Sequence, residues 1–315
     1  MTQAKSPRVV VLGSLNMDLL LRVPHAPVAG ETLPGRSLTR TPGGKGGNQA
    51  VGCARQGVAV QMVGCVGADA DGHALRSALE SDGIDTSMVH IHRNEPTGTA
   101  LVMVDDAGQN RIVVIAGANA AAQAHEAELA SALPGAAFLI AQFETPVPEV
   151  AQAMQAARRH GCKVLLNPSP VQVLDDALWP LIDTLVVNEV EAANLSGMPV
   201  RQPEDAAAAA RKLLARGVAR VVVTLGDAGA VALDDQGARH HPAPKVEVVD
   251  TTAAGDTLLG ALAAELARGA SLDDALRQGI RAAALCVTAP GAQSSIPSRA
   301  AVERSALAPS WTKLP

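Results

Sequence analysis

Residues 138–166, FLIAQFETPVPEVAQAMQAARRHGCKVLL, hold the pattern that decides the fold class. Phe138, Leu139, Ile140 and Ala141 form a short unbroken apolar run, the mark of a strand covered on both faces. From Val150 to His160 the apolar residues recur at helical spacing, and residues 164–166 are a second short apolar run. A strand, a helix and a strand in that order make a crossover between parallel neighbours. The alternation continues in both directions. Residues 9–12, 58–63, 185–187 and 221–225 read as strands. Residues 48–56, 73–81 and 206–216 read as helices, and two Ala-rich helices over 256–267 and 272–287 follow. This predicts an α/β chain with a mostly parallel central sheet and helices on both faces. Two segments break the pattern. Residues 99–104 and 111–115 flank the turn DDAGQN and predict an antiparallel hairpin. Residues 19–23 and 37–41 are short strand-like pieces around a Pro/Gly-rich loop, where no helix fits. They either decorate a sheet edge or build a small second sheet acting as a lid. With no linker or repeat in view, residues 1–315 are expected to form one domain, its lid strands drawn from about 18–41 and 99–115.

Composition narrows the function. The 315 residues carry 26 Lys+Arg against 31 Asp+Glu, a net charge of −5, with 48% hydrophobic and 18% charged residues. That balance excludes intrinsic disorder. The lack of any basic run argues against nucleic acid as a partner. Two Phe, two Trp and no Tyr leave almost nothing for base stacking or a membrane belt, so the core must be built from Ala, Val and Leu. No apolar run is long enough for a membrane span. The N-terminal stretch MTQAKSPRVVVLG has no long apolar region of the kind a signal peptide carries, so a soluble cytoplasmic protein is expected. Cys53, Cys65, Cys162 and Cys286 match no zinc or CxxC spacing and read as buried thiols in a reducing compartment.

Familiar phosphate loops are missing. Gly43-Gly44-Lys45-Gly46-Gly47 has no Ser or Thr after its lysine, so it is not a Walker A loop, and neither GxGxxG nor GxSxG is present where it would carry weight. The glycine cluster precedes a helical run placed at Asn48. It is either a loop needing positive φ or a close backbone approach to a ligand, with Lys45, Asn48 and Gln49 adding polar contacts. Asp250-Thr251-Thr252-Ala253-Ala254-Gly255-Asp256 says more. Its small residues run into a helix placed near Asp256, and a helix N-terminus is a natural anion site. Asp256 is then either a simple N-cap or a base that accepts a proton from an attacking hydroxyl. Thr224-Leu225-Gly226-Asp227-Ala228-Gly229 follows a strand, on the edge where α/β ligands usually sit. Asn188 and Glu191, also after a strand, suit either helix capping or a water bound to Mg²⁺. Asn16, Asp18 and Glu144 follow other strands and offer hydrogen bonds to a hydroxyl-rich ligand.

Taken together and in order, these motifs, with Gly-Ser-Leu-Asn-Met-Asp at 13–18 and Gln142-Phe143-Glu144-Thr145-Pro146, resemble the ribokinase-like (PfkB) carbohydrate kinase family over essentially residues 8–300. The resemblance implies a three-layer fold with a β-sheet lid and ATP-dependent phosphorylation of D-ribose at its 5-hydroxyl. It implies Asp256 as catalytic base, with the amides of Ala253, Ala254 and Gly255 as the anion hole. Sugar contacts would fall on Asn16, Met17, Asp18, Gly44, Lys45, Gly46, Gly47, Asn48 and Glu144. ATP contacts would fall on Asn188, Glu191, Thr224, Leu225, Gly226, Asp227, Ala228, Gly229 and Gly255. Mg²⁺ would accompany ATP, and an activating K⁺ would be held by Asp250, Thr252, Cys286, Ala289, Gly291 and Ser295, several through backbone oxygens. The lids would pair two copies into a homodimer. The rival acceptors are deoxyribose or a nucleoside, though a nucleoside needs room that is often lined by aromatics. A non-enzymatic sugar-binding regulator would have no use for Asp256 beside an anion hole. A sugar-phosphate acceptor would meet only Lys45 as a cation, with Glu144 repelling it.

Overall fold

The computed structural model describes residues 7–307 and 310–314; residues 1–6, part of the N-terminal stretch discussed above, lie outside them. In chain order the strands are β1 (Arg8–Leu12), β2 (Asn16–Arg22), β3 (Ser37–Gly43), β4 (Ala59–Gly67), β5 (Asp85–His92), β6 (Gly98–Val104) and β7 (Asn110–Ile115). They continue with β8 (Phe138–Gln142), β9 (Lys163–Asn167), β10 (Thr184–Asn188), β11 (Arg220–Thr224), β12 (Ala230–Asp234), β13 (Gly237–His241) and β14 (Thr312–Lys313). The helices are α1 (Lys45–Arg55), α2 (Ala70–Ser81), α3 (Glu126–Ala132), α4 (Val147–Arg159), α5 (Glu189–Ser196), α6 (Pro203–Leu214), α7 (Ala254–Ala267), α8 (Leu272–Cys286) and α9 (Arg299–Arg304).

Ten strands form one sheet in the order β14-β13-β12-β11-β10-β9-β8-β1-β4-β5. From β5 to β11 every pairing is parallel, and β12, β13 and β14 continue it antiparallel. β1 shows why the sequence read as unbroken apolar runs. Val10 and Leu12 join a core with Leu129, Met154 and Leu213 of α3, α4 and α6, while Val9 and Val11 join one with Val51, Leu75 and Leu262 of α1, α2 and α7. Both faces are thus covered by helices, and the strand's interior needs no polar positions. As the composition required, Ala, Val and Leu dominate both cores; Phe138, Phe143 and Trp179 are the buried aromatics.

β2, β3, β6 and β7 form a separate four-stranded sheet in the order β3-β2-β6-β7. The hairpin around residues 105–110 is the antiparallel pair β6–β7, and Gly108 supplies its positive φ of 76°. β2 pairs antiparallel with β3 but parallel with β6. Strand-like residues 19–23 and 37–41 therefore build a second sheet rather than decorate the first.

Candidate active site

The parallel strands point their carboxyl ends at one edge, and the chain's polar motifs gather there. β1 runs into Ser14 and Asn16, β8 ends on Gln142 with Glu144 beyond, and β9, β10 and β11 end on Asn167, Asn188 and Thr224. Asn188 and Thr224 are direct neighbours in the β10–β11 register. Two helix N-termini, those of α1 and α7, complete the edge.

α1 begins at Lys45, three residues earlier than its periodicity suggested. Glycines disfavour helix, so local propensity argued against this start, and packing overrides it. Gly44 caps the helix at φ 83°. A Cβ on Gly46 would lie 2.6 Å from the Gly13 carbonyl carbon and the Ser14 nitrogen, and one on Gly43 would meet the Asp18 carboxylate at 2.1 Å. These glycines let the chain pass close to itself at the end of β1. Gly47 is likewise buried, against Leu15 and Gln293.

α7 begins at Ala254, so Asp256 sits in its first turn and is not the N-cap. The cap is Ala253, the one non-glycine with positive φ (60°) among the described residues. Such a conformation costs energy in an L-residue and marks a functional constraint more often than a random turn. Asp256, 9% exposed, accepts hydrogen bonds from Asn48 Nδ2 at 3.0 Å and Gln49 Nε2 at 2.9 Å. Gln49 is itself held, accepting from Gln142 Nε2 and donating to Asn167 Oδ1 at 3.3 Å. Beside the carboxylate the space at Gly255 is open, with nothing within 4 Å of where a Cβ would stand. The N–H of Ala254 donates to the Thr251 carbonyl at 3.2 Å, so of the amides of residues 253–255 expected to meet an anion, this one already has a partner.

Across the cleft lies the small polar cluster the sequence placed there. Glu144 accepts from the Ser14 hydroxyl and from the Lys45 N–H at 3.1 Å. Asn16 Oδ1 accepts from Asn119 Nδ2 at 2.8 Å, and Asn119 also grips the Leu15 backbone at both N–H and C=O. A cavity of about 460 Å³ between the small sheet and this edge is lined by Asn16, Lys45, Asn119, Glu144 and, from β7, Val114. Burial, then the negative charges of Glu144 and Asp256, push the Asp18 carboxyl up to about 7. Burial works against the Lys45 ammonium, but Asp256, Glu144 and Glu191 outweigh it and raise its pKa. The buried Oδ1 of Asn48 has no hydrogen-bond donor among the described residues. Met17 is buried between Asn16 and Asp18. Ser14, Asn119, Gln142 and Asn167 are not among the sites predicted above, and Gln49, expected as a ligand contact, instead holds Asp256. Ser14 and Gln142 lay inside quoted motifs, whereas Asn119, a lone amide in the run AGANAA, gave no signal.

Asn188 and Glu191 form a reciprocal capping box on α5. The Glu191 N–H donates to Asn188 Oδ1 at 2.8 Å, and the Asn188 N–H to Glu191 Oε2 at 3.0 Å. Capping therefore occupies one oxygen of each, and Glu191 keeps a second, while its charge still reaches Lys45. Leu225, Gly226, Asp227, Ala228 and Gly229 make a tight turn after β11, with Gly226 and Gly229 at φ 56° and 93° and open space at Gly226. The third group also converges. Asp250 accepts from Thr252 N at 2.9 Å and Oγ1 at 2.6 Å, and from Gly291 N at 2.9 Å. Cys286 Sγ lies 3.0 Å from Ser295 Oγ, which donates to the Gly291 carbonyl at 2.7 Å. Ala289 lies on the loop between Cys286 and Gly291.

The profile of pfkB family carbohydrate kinases matches residues 6–299. The chain belongs to the pfkB family. It is 40% identical over 296 residues to a ribokinase of Haemophilus influenzae, covering 92% of this chain and 95% of that one. It is 34% identical over 292 residues to a deoxyribokinase of Salmonella typhi, covering 92% and 95%. Among solved structures, Arabidopsis thaliana ribokinase complexed with ribose and ATP superposes with a TM-score of 0.89 at 34% identity, over 95% of this chain and 98% of that one. In this chain Lys45 lines the cavity beside Glu144, and its ammonium feels the charges of Asp256 and of Glu191, which follows β10.

Proposed function

We propose that this chain is a ribokinase, transferring the γ-phosphoryl group of ATP to the 5-hydroxyl of D-ribose. The observation that carries the reading is Asp256, fixed by the Asn48 and Gln49 amides beside the open Gly255 backbone and the cavity of Asn16, Lys45 and Glu144. The ribose hydroxyl loses its proton to Asp256 as its oxygen bonds to the γ-phosphorus, and the bond to the ADP oxygen breaks. Positioning and electrostatic stabilisation supply most of the acceleration in such transfers. The Gly255 amide and the α7 N-terminus meet the charge on the transferring group. Asp18 and Glu144 accept from sugar hydroxyls, and Asn16 and Asn48 do so through their amide oxygens.

Adenine nucleotide is assigned to the turn of Thr224, Leu225, Gly226, Asp227, Ala228 and Gly229 and to Asn188. Mg²⁺ would neutralise phosphate charge and keep its waters, for which the free oxygen of Glu191 is suited. The loop of Asp250, Thr252, Cys286, Ala289, Gly291 and Ser295 offers one carboxylate and several carbonyls, a donor set that suits a hard monovalent cation such as K⁺. Four free, buried cysteines agree with a cytoplasmic setting, and among the described residues no helix is long and apolar enough to cross a membrane.

Deoxyribose is the competing acceptor. A site built to hydrogen-bond a hydroxyl rejects the analogue lacking it by about 10⁴–10⁵, and Asp18 is assigned to the 2-hydroxyl. A coupled assay over pentoses, nucleosides and hexose phosphates, with kcat/KM for ribose and 2-deoxyribose at fixed MgATP and saturating K⁺, decides it. Ribose is expected to win. Deoxyribose turning over as well or better would replace the acceptor, and turnover of none would overturn the kinase reading.

A further inference from the structure

On the far edge of the large sheet, β5 and the start of α3 bring together His90, His125 and Glu128. We propose that these three side chains form a binding site for a divalent borderline metal ion, Zn²⁺ or one like it, outside the kinase cleft. One ligand atom from each residue lies within 4.8 Å of the other two, the one such group of His, Cys, Asp and Glu among the described residues. His90 Nε2 and Glu128 Oε2 are already 3.0 Å apart, and the His90 and His125 rings meet edge-on with centroids 5.0 Å apart. Ligands of a tetrahedral Zn²⁺, bound at about 2.0–2.1 Å, stand about 3.3 Å from one another. Small side-chain rotations would close the set. Two imidazoles and a carboxylate are a recurrent zinc donor set, with the fourth position left to water.

His125 occupies the N-cap position of α3, but helix capping makes no use of it, and its ring meets only His90 in this cluster. His125 and Glu128, three residues on, lie on one face of the first turn. His90 is half-buried on β5, which pairs only with β4 and is the sheet's edge. A metal there would bolt the edge strand to α3. It would also secure the far end of the segment that runs back to Asn119, the residue that holds Asn16 in the cleft.

The test uses the full chain freed of metal with a chelator and titrated with Zn²⁺ by calorimetry, with thermal melts in parallel. The wild type should bind Zn²⁺ at micromolar concentration and melt at a higher temperature with it, since binding only the folded state stabilises it. His125→Ala and Glu128→Gln should each weaken this binding about tenfold or more and abolish the rise in Tm, while melting like the wild type without metal. With Co²⁺, the visible absorption of a tetrahedral site should be lost in His125→Ala. No Zn²⁺ binding by the wild type would overturn the proposal. So would equal binding by wild type and both variants, or binding lost only in Asp18→Asn, which would put the ion in the acidic cleft.

Discussion

Asp256 does not act alone at the residue scale. Its carboxylate is oriented by Asn48 and Gln49, residues more than 200 positions away in sequence, at 3.0 and 2.9 Å. Asp256→Asn should therefore cut kcat by about 10²–10⁴, the usual worth of a general base, while ATP affinity measured by calorimetry stays near the wild-type value. Near-normal turnover would remove Asp256 from the mechanism. Asp18 answers a different question, because its site raises its carboxyl from 3.8 to about 7. Between those values the folded chain holds a proton that the unfolded chain has released. Stability from this group therefore falls as pH rises through that window and stays low above it. Asp18→Asn removes the penalty. Its stability advantage over the wild type should widen by roughly 2–3 kcal/mol from pH 5 to pH 8, at about 1.4 kcal/mol per pH unit, while ribose affinity drops. Urea unfolding at the two pH values measures it; a pH-independent difference would show that Asp18 is not protonated in the fold.

Helices α1 and α7 carry the two halves of the Asp256 cluster, and glycines set their spacing. A Cβ on Gly260 would meet Gly52 Cα at 2.7 Å and its carbonyl carbon at 2.8 Å, backbone atoms that cannot swing away. Gly260→Ala should cost about 1–3 kcal/mol, the usual range for overpacking, and lower kcat by shifting Asn48 against Asp256. Gly255→Ala is the converse case. Its Cβ enters open space, and alanine favours helix by about 1 kcal/mol, so Tm should hold or rise while turnover falls. Equal loss of Tm in both variants, read by calorimetric melts, would contradict this account. These elements also show what the sequence could display. β1, β4, β8, β9, β10 and β11 were legible because they are apolar on both faces, whereas β5, partly exposed, and β12 were not read. Nor was β13, because it buries Arg239 and His241 on Asp234 and Asp273, and such buried polar pairs mimic a surface. The motifs around Asp256 and Glu144 were legible as residue types at strand and helix ends. The start of α1 was not, since contacts with Gly13 and Ser14 override glycine's weak helix propensity. Nor was Asn119, whose role exists only in three dimensions.

Across the whole molecule, the two sheets differ in how they treat apolar surface. The large one is sealed on both faces by helices, whereas the small one leaves Ile112, Val113, Val114 and Ile115 of β7 each more than half exposed, with Leu38 of β3 at 59%. On soluble proteins a contiguous apolar patch of this kind marks an interaction surface. Val114 lines the cavity over Asn16 and Lys45, so alternation along the strand turns Val113 and Ile115 to the opposite side. Self-pairing of that outer side about a two-fold axis would cover it, and would hold each small sheet over its own cleft as a lid. The full chain should then scatter light as a dimer of about twice 32.1 kDa at micromolar concentration. Replacing Val113 and Ile115 together by Glu places like charges in the shared face, and should give a monomer with a raised KM for ribose and an intact ATP site. A wild type that stays monomeric, or a variant that remains dimeric with an unchanged KM, would mean that these strands serve neither as interface nor as lid.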